Sequence, residues 1–557
     1  MVPTEVQTCR RHVTFRPPAG LTALLSSGKI CAMSARTRRF REQPAPTPRP
    51  RPVLEETYVL LASFLVGAII LVVEIIGTRA ISPYYGASVY VWSSLIGVTL
   101  ASLALGYFLG GWAADRWPHP PALAFEMIGG AVWLLLVPWM RQGVLTATTS
   151  LGLRLGSLVS AALLFAPALV LLSMTGPIAI RLVTSNFTFL GRGVGKIYGI
   201  STAGSMLGAI LTGFVLIPSF SVSSVLEGSA VALLVLGCGG LFVARRMAQA
   251  GSVLVVGLLG CVALTRAPAP PSNVAYLGNS FHGELKVVDV DSSRLLLING
   301  IDNGFVDRQS MAPRAPYIEL FRYLPLARPN AKRALCIGLG AGSVPRVFQV
   351  EYGLATDVVE IDPAIVDVAQ RFFGFPSAIP VIVEDGRTYV EHAPHRYDFV
   401  VLDAFASETL PAHLFTREFF ARVDAILEPG GILAINMIGL AEGPAASAWR
   451  SIYRTLAERF AHLRAFASEQ NSDARDRYTN LFLLASQGPL PSPTSLGTRA
   501  VFGSMQRGEI HDDSTAPAHV LTDDYSPLET LQLPFLVQLR EDMIRKGQSV
   551  LLFDGTN

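Results

Sequence analysis

Between Tyr58 and Ala267 the chain carries seven apolar runs, near residues 58–76, 89–112, 121–140, 157–181, 195–218, 222–243 and 252–266. Most are long enough to cross a ~30 Å hydrocarbon layer. Half of the 557 residues are apolar and only 16% are charged, and the excess lies in this stretch. Residues 53–267 therefore read as an α-helical, multi-spanning membrane domain of six or seven spans, placed in the cell (inner) membrane. The seventh run is short and broken by Gly257 and Gly260, which suits a re-entrant or interfacial segment.

Residues 1–52 are a different material. They hold ten Arg and Lys against Glu5 and Glu42, with Pro-Ala-Pro-Thr-Pro-Arg-Pro at 44–50, and read as a disordered basic tail. Removing its net +8 from the chain's +3 leaves −5, so the folded part shows no nucleic-acid footprint. The tail lacks the apolar core of a secretory signal, and Met33 is as good a start as Met1, because Arg36, Arg38, Arg39 and Arg41 follow it. Positive charge ahead of the first span favours a cytoplasmic N-terminus. Asp115-Arg116, Arg192 with Lys196, and Arg245-Arg246 fall in alternate loops that would share that side. Seven spans would put the remainder of the chain outside. Because the seventh run is short and interrupted, the expectation is that both ends are cytoplasmic and that residues 252–265 do not cross.

Within the spans, Glu74, Glu126, Arg181 and Glu227 are ionisable groups that cost at least ~2.5 kcal/mol each at membrane depth unless paired or wet. They mark either a small-molecule pathway or internal pairs, such as Glu74 with Arg79, that set helix register. The five cysteines form no C-x-x-C and no Cys/His cluster, so neither a disulfide frame nor a metal site is expected. His392, His395, His413 and His511 have no ligand spacing and read as ordinary surface or loop residues.

After the linker at 267–272, Glu284–Val290 and Arg294–Ile298 read as a β-hairpin in a small subdomain, residues 273–310. Over 311–557 strands alternate with helix-length segments at 344–352, 364–373, 416–427 and 445–460, implying a mostly parallel sheet covered on both faces. Its first strand runs into Ile337-Gly338-Leu339-Gly340-Ala341-Gly342, and Glu360 stands about 20 positions on, where a ribose would offer its hydroxyls. This is a Rossmann-type nucleoside half-site built on Gly338, Gly340, Gly342 and Glu360. A later strand, Tyr397–Leu402, ends on Asp403 at the same carboxyl edge, which makes Asp403 the first candidate for chemistry. Ser343 occupies the third glycine position of a dinucleotide fingerprint, which disfavours an oxidoreductase.

From about Asn279 to Met437 the ordered set of hairpin, Tyr317-Ile318-Glu319, the glycine loop, Glu360-Ile361-Asp362, Glu384-Asp385-Gly386, Tyr397–Asp403 and Glu428-Pro429-Gly430-Gly431 resembles spermidine synthase. With the preceding spans, with Asp403-Ala404-Phe405 and Pro411–Thr416, and with Thr522-Asp523-Asp524-Tyr525, it resembles the membrane-fused, spermidine synthase-like branch. The resemblance implies a methyltransferase-like α/β fold that binds decarboxylated S-adenosylmethionine and transfers its aminopropyl group to an amine, without a metal. By position, Glu360 would hold the ribose, Asp385 and Gly386 the adenine, and Asp403 would accept the proton. His282 and Pro411 would join the cosubstrate site, and Asn303, Tyr317 and Glu319 the amine site. Partners implied are a small-molecule amine and the lipid bilayer, with a homodimer left open.

Three positions depart from the polyamine-making pattern. Ile318, Ala341 and Ala406 stand where a His and two Asp are usual, which removes polar groups worth about 1.5 to 3 kcal/mol each to a dication. Putrescine is therefore expected to be a poor acceptor. Two other readings stay open: a methyltransferase using S-adenosylmethionine, and a non-catalytic nucleoside-sensing or transport-coupled protein.

Overall fold

The computed structural model describes residues 53–86, 89–117, 119–184, 190–246, 249–251, 257, 272–280, 282–405, 409–468, 478–496, 505, 507–512 and 517–547. The basic tail, Ala406 and nearly all of the seventh apolar run lie outside the described residues. Among the described residues, five helical segments are long and apolar enough to cross a membrane: Val53–Tyr85, Val89–Arg116, Pro120–Val183, Leu190–Ser219 and Val222–Val243. The third has 64 residues, roughly 96 Å if it ran straight. Instead it reverses at Thr149–Leu151, where Gly152 takes a φ of 73°.

The helices are α1 (Val53–Tyr85), α2 (Val89–Arg116), α3 (Pro120–Thr148), α4 (Gly152–Ser173), α5 (Thr175–Val183), α6 (Leu190–Leu211, prolonged by turns to Ser219) and α7 (Val222–Val243). α3 and α4 are antiparallel. The Trp133 indole donates to Leu164 O (2.9 Å), and the Thr148 and Ser160 hydroxyls meet at 2.6 Å. α1 and α6 run parallel and close, with Gly204 against the carbonyl of Phe64 and Gly208 against that of Ala68. A methyl group at either glycine would lie under 3 Å from main-chain oxygen, so these small residues set the helix spacing.

Six helical crossings return the chain to its starting end: Gly240 of α7 packs on Tyr58, near the start of α1. The α/β domain resumes at the other end. Its β1 (Val274–Asn279) packs on Ile217–Ser219 beyond α6, and Arg79 of α1 donates to Ser280 O (2.9 Å). Tyr58 and Arg79 are separated by roughly 32 Å of helix, about one hydrocarbon thickness. Residues 252–265, expected to stop short of crossing, lie almost wholly outside the described residues.

The expected hairpin is the inner pair of a four-stranded antiparallel sheet: β1, β2 (Glu284–Val290), β3 (Ser293–Ile298) and β4 (Ile301–Asp307). An eight-stranded sheet follows. Its order is β12-β10-β11-β9-β8-β5-β6-β7, from β5 (Arg333–Ile337), β6 (Ala355–Glu360), β7 (Val381–Val383), β8 (Tyr397–Leu402), β9 (Leu427–Leu440), β10 (His462–Ala467), β11 (Tyr478–Ser486) and β12 (Glu509–Ile510). Pairing from β9 to β7 is parallel, and the other edge is antiparallel. β8 is buried along its whole length, as a central parallel strand covered on both faces must be.

Phe348, Phe399 and Phe482 pack under the four-stranded sheet on one face. Phe419, Phe420 and Trp449 pack on the other. The helices that bear on the site are α8 (Pro363–Phe372), α9 (Gly386–Glu391), α10 (Arg417–Ile426), α11 (Ser447–Ala457) and α12 (Leu528–Gly547). From β5 the chain steps outward to β6 and β7, then returns to the other side of β5 as β8 and β9. A crevice at the carboxyl ends of β5 and β8 results, the usual place for a ligand in an open α/β sheet.

Candidate functional site

A pocket of about 660 Å³ occupies this crevice. The glycine loop forms its floor. Gly338, Gly340 and Gly342 have φ of 96°, 52° and 76°, a region that side chains oppose, and a Cβ at Gly338 would lie 2.2 Å from the carbonyl of Asp403. The loop thus packs its bare backbone against the end of β8. Glu360 closes the adjoining wall. Its carboxylate is buried and accepts the N–H groups of Leu339 and Asp362, each at 2.9 Å. Burial pushes the Glu360 carboxyl up to about 7, although these N–H groups pull the other way. One carboxylate thereby ties the glycine loop to the end of β6.

Two buried polar atoms on the wall, Ser343 Oγ and Asp362 Oδ2, have no hydrogen-bond partner among the described residues. The other oxygen of Asp362 caps α8 by accepting from Ala364 N–H (3.0 Å). His282 also lines the pocket, next to the Ser280 carbonyl that Arg79 holds. A residue of the first membrane helix therefore shapes the rim of the site.

At the far end Asp385 caps α9, accepting the N–H groups of Arg387 and Thr388 at 3.0 Å each. His413 Nε2 lies 2.9 Å from its other oxygen. Burial pushes the Asp385 carboxyl up, but His413 and the helix N–H groups outweigh it and hold it below the ordinary range. Arg387 makes a bidentate pair with Asp523 (2.6 and 2.5 Å) and reaches the His413 carbonyl, so the Thr522–Tyr525 motif straps this end together. Gly386 is packed against Ile337, and Pro411 joins the lining.

Asp403 sits at the opposite end. The hydrogen bond to its carboxylate comes from Asn436 Nδ2 (2.8 Å), and Asn436 in turn accepts from Asn480 (3.1 Å). Burial pushes its carboxyl up to about 6, slightly offset by Asn436. Tyr317 faces both Asp403 and Asp302, and burial together with these two carboxylates raises its phenol. Asp302 is exposed to the pocket; the protein crowded around its carboxyl pushes it up to about 6, against the Gly304 N–H that it accepts (2.8 Å). Asn303 lies alongside, its amide donating to Ile301 O (3.0 Å).

The pocket thus gathers His282, Gly338, Gly340, Glu360, Asp385, Gly386, Asp403, Pro411, Asn303 and Tyr317. Gly342 shapes the loop behind it, its Cβ position filled by Phe375. Glu319 is a correction: it is not in the lining but pairs with Arg322, which also binds Glu351 (2.6 Å) on the outer surface. Ile318 is likewise buried in the core beneath the site rather than in it. Ala341 does line the pocket. Asp302 and His413 were missed by sequence reasoning. Asp302 follows the Asn299-Gly300 turn, and His413 meets Asp385 across 28 positions, with no local pattern to announce either.

Residues 316–437 match the spermine/spermidine synthase domain. The chain is 30% identical over 205 residues to a probable polyamine aminopropyl transferase of Bifidobacterium longum, covering 36% of this chain and 46% of that protein. It is 29% identical over 244 residues to the polyamine aminopropyltransferase of Vibrio vulnificus, covering 42% and 75%. It is 33% identical over 127 residues to putrescine N-methyltransferase 2 of Nicotiana tabacum, covering 21% and 36%. The chain thus spans about half the length of the first of these relatives.

Proposed function

We propose, from the match of residues 316–437 to the spermine/spermidine synthase domain, that this chain is a membrane-bound aminopropyltransferase acting on decarboxylated S-adenosylmethionine and an amine. Asp403 carries this reading: a carboxyl at the topological switch point, with one neutral donor and a raised pKa, beside a phenol and a second carboxyl. The wall residues suit an adenosyl ligand. The bare glycine loop admits close approach, and Asp362 Oδ2 and Ser343 Oγ are left to pair with ligand polar groups. Glu360 keeps a lone pair on each oxygen for the ribose hydroxyls, while Asp385 and Gly386 border the adenine end.

The sulfonium supplies an activated carbon and a neutral thioether leaving group. Asp403, ionised above about pH 6, takes a proton from the attacking amine. The amine's lone pair forms the new C–N bond while the C–S electrons leave on sulfur, giving methylthioadenosine. Asp302 and Tyr317 hold the remainder of the acceptor. Asp302 supplies a negative charge near Ala341, so a diamine suits the site better than the apolar substitutions alone suggested, and Ile301, Ile438 and Leu539 favour an apolar segment in it.

Product analysis with both cosubstrates and a panel of amines tests this. Aminopropylated amine with methylthioadenosine is expected. Methylated amine with S-adenosylhomocysteine would move the assignment to the second reading, which the match to putrescine N-methyltransferase favours. Turnover of neither would sink the transferase reading.

The five apolar segments support a membrane location. The N-terminal end of the bundle carries Arg116, Arg192, Lys196, Arg245 and Arg246, which favour the cytoplasm. The α/β domain, at the other end, then faces the opposite compartment, and the cosubstrate has to be available there. An impermeant maleimide should label an exposed Ser310→Cys in intact cells. Protection until lysis would return the domain to the cytoplasm.

A further inference from the structure

The membrane bundle holds a second cavity, about 840 Å³, at the end remote from the α/β domain. Phe125, Leu171, Met174 and Ile178 give it apolar walls, and Arg245, Arg246, His119 and Glu55 stand among its lining at the helix ends. Glu126 lies about 9 Å along α3 from its start, on the cavity wall and only 5% exposed. Its Oε1 accepts from the Thr175 hydroxyl (2.6 Å), while Oε2 has no partner among the described residues. The Tyr58 hydroxyl, outside the cavity lining, is also buried and without a hydrogen-bond partner among the described residues. A buried carboxyl with one oxygen left open on the wall of an apolar cavity forms a built site awaiting a donor.

We infer that this cavity binds the primary ammonium group of an amphiphile, with Glu126 as its acceptor. One buried carboxyl supplies too few oxygens for a hard metal cation, which takes six or more. An ammonium brings three N–H donors and gains a charge-assisted bond. The apolar walls accept the molecule's hydrocarbon, and the arginine pair suits an anionic group beside the amine. The same chemistry is offered by an aminophospholipid and by a free long-chain amine. This site is separate from the α/β pocket and does not depend on the transferase reading.

The test is native mass spectrometry of the full chain in detergent, titrated with short-chain phosphatidylethanolamine, the matching phosphatidylcholine, or dodecylamine. One equivalent of phosphatidylethanolamine or dodecylamine should bind at least tenfold tighter than phosphatidylcholine, whose trimethylammonium has no N–H to donate. Binding of the phospholipid alone names the lipid as source, and of dodecylamine alone the free amine. Glu126→Gln should abolish the preference with thermal unfolding little changed, and Ile178→Trp should do so by filling the cavity. Asp403→Asn should keep it. Equal binding of the two phospholipids with no dodecylamine bound, or the same preference in wild type and Glu126→Gln, would overturn the site.

Discussion

Two carboxylates at opposite ends of one pocket have been given opposite chemistry. Asp385 receives two helix N–H groups and His413, and is held below the ordinary carboxylate range despite burial. Asp403 receives one neutral amide and is pushed up to about 6. Donor number separates them: hydrogen bonds to the charged form stabilise it, and burial without them does the reverse. A carboxylate already saturated with donors can only hold a ligand, whereas one left short of donors gains by taking a proton. Under the proposed function, the contrast fits holding at the Asp385 end and proton transfer at the Asp403 end.

The largest expected effect tests that assignment directly. Asp403→Asn should lower turnover by ~10² to 10⁴ while nucleoside affinity, measured by calorimetry, stays unchanged. In the wild type kcat/KM should fall tenfold per pH unit below about 6, since the base must be ionised. Equal turnover in the two proteins would erase the distinction between the two ends.

The same substitution should also stabilise the fold. The native Asp403 carboxyl keeps its proton to a higher pH than the unfolded chain does, so its contribution is favourable in acid and is lost as pH rises from about 4 through about 6. At pH 7 the asparagine should gain about 1 to 3 kcal/mol, seen as a raised unfolding midpoint that vanishes below pH 4. An unchanged midpoint at pH 7 would show that Asp403 is better solvated than its burial implies.

Smaller effects sharpen the holding end. Glu360→Gln should weaken adenosyl-ligand binding by about 2 kcal/mol, because an uncharged acceptor replaces a charged one at the ribose. Asp302→Asn should raise KM for a diamine about tenfold and leave a monoamine little affected. A uniform rise for both would mean that Asp302 shapes the pocket without holding charge. His413→Ala should weaken nucleoside binding by only about 1 kcal/mol, since Asp385 keeps its two main-chain donors.

Local patterns were legible in the residues. Hydropathy found the helices because insertion depends on composition over about 20 residues, and the glycine loop with Glu360 announced the pocket wall because backbone approach needs glycine at fixed spacing. β4 went unread because Asp302, Asn303 and Gly304 disfavour strands; pairing with β3 imposes the conformation. Glu319 was misplaced for a related reason. Its turn exposes it to Arg322, while Tyr317 two positions earlier faces the pocket.

The amino-acid sequence by itself determined the long apolar helices, the parallel part of the α/β sheet, the bare-backbone loop and the strand-end position of Asp403, because each follows from short-range periodicity and spacing. Only the tertiary structure decided which end of the bundle carries the α/β domain, that Arg79 reaches the pocket rim, that Asp302 and Asp403 flank Tyr317, and that His413 rests on Asp385. Those facts are distances between residues remote in the chain, and such distances are set by packing of whole elements rather than by any local run of residues.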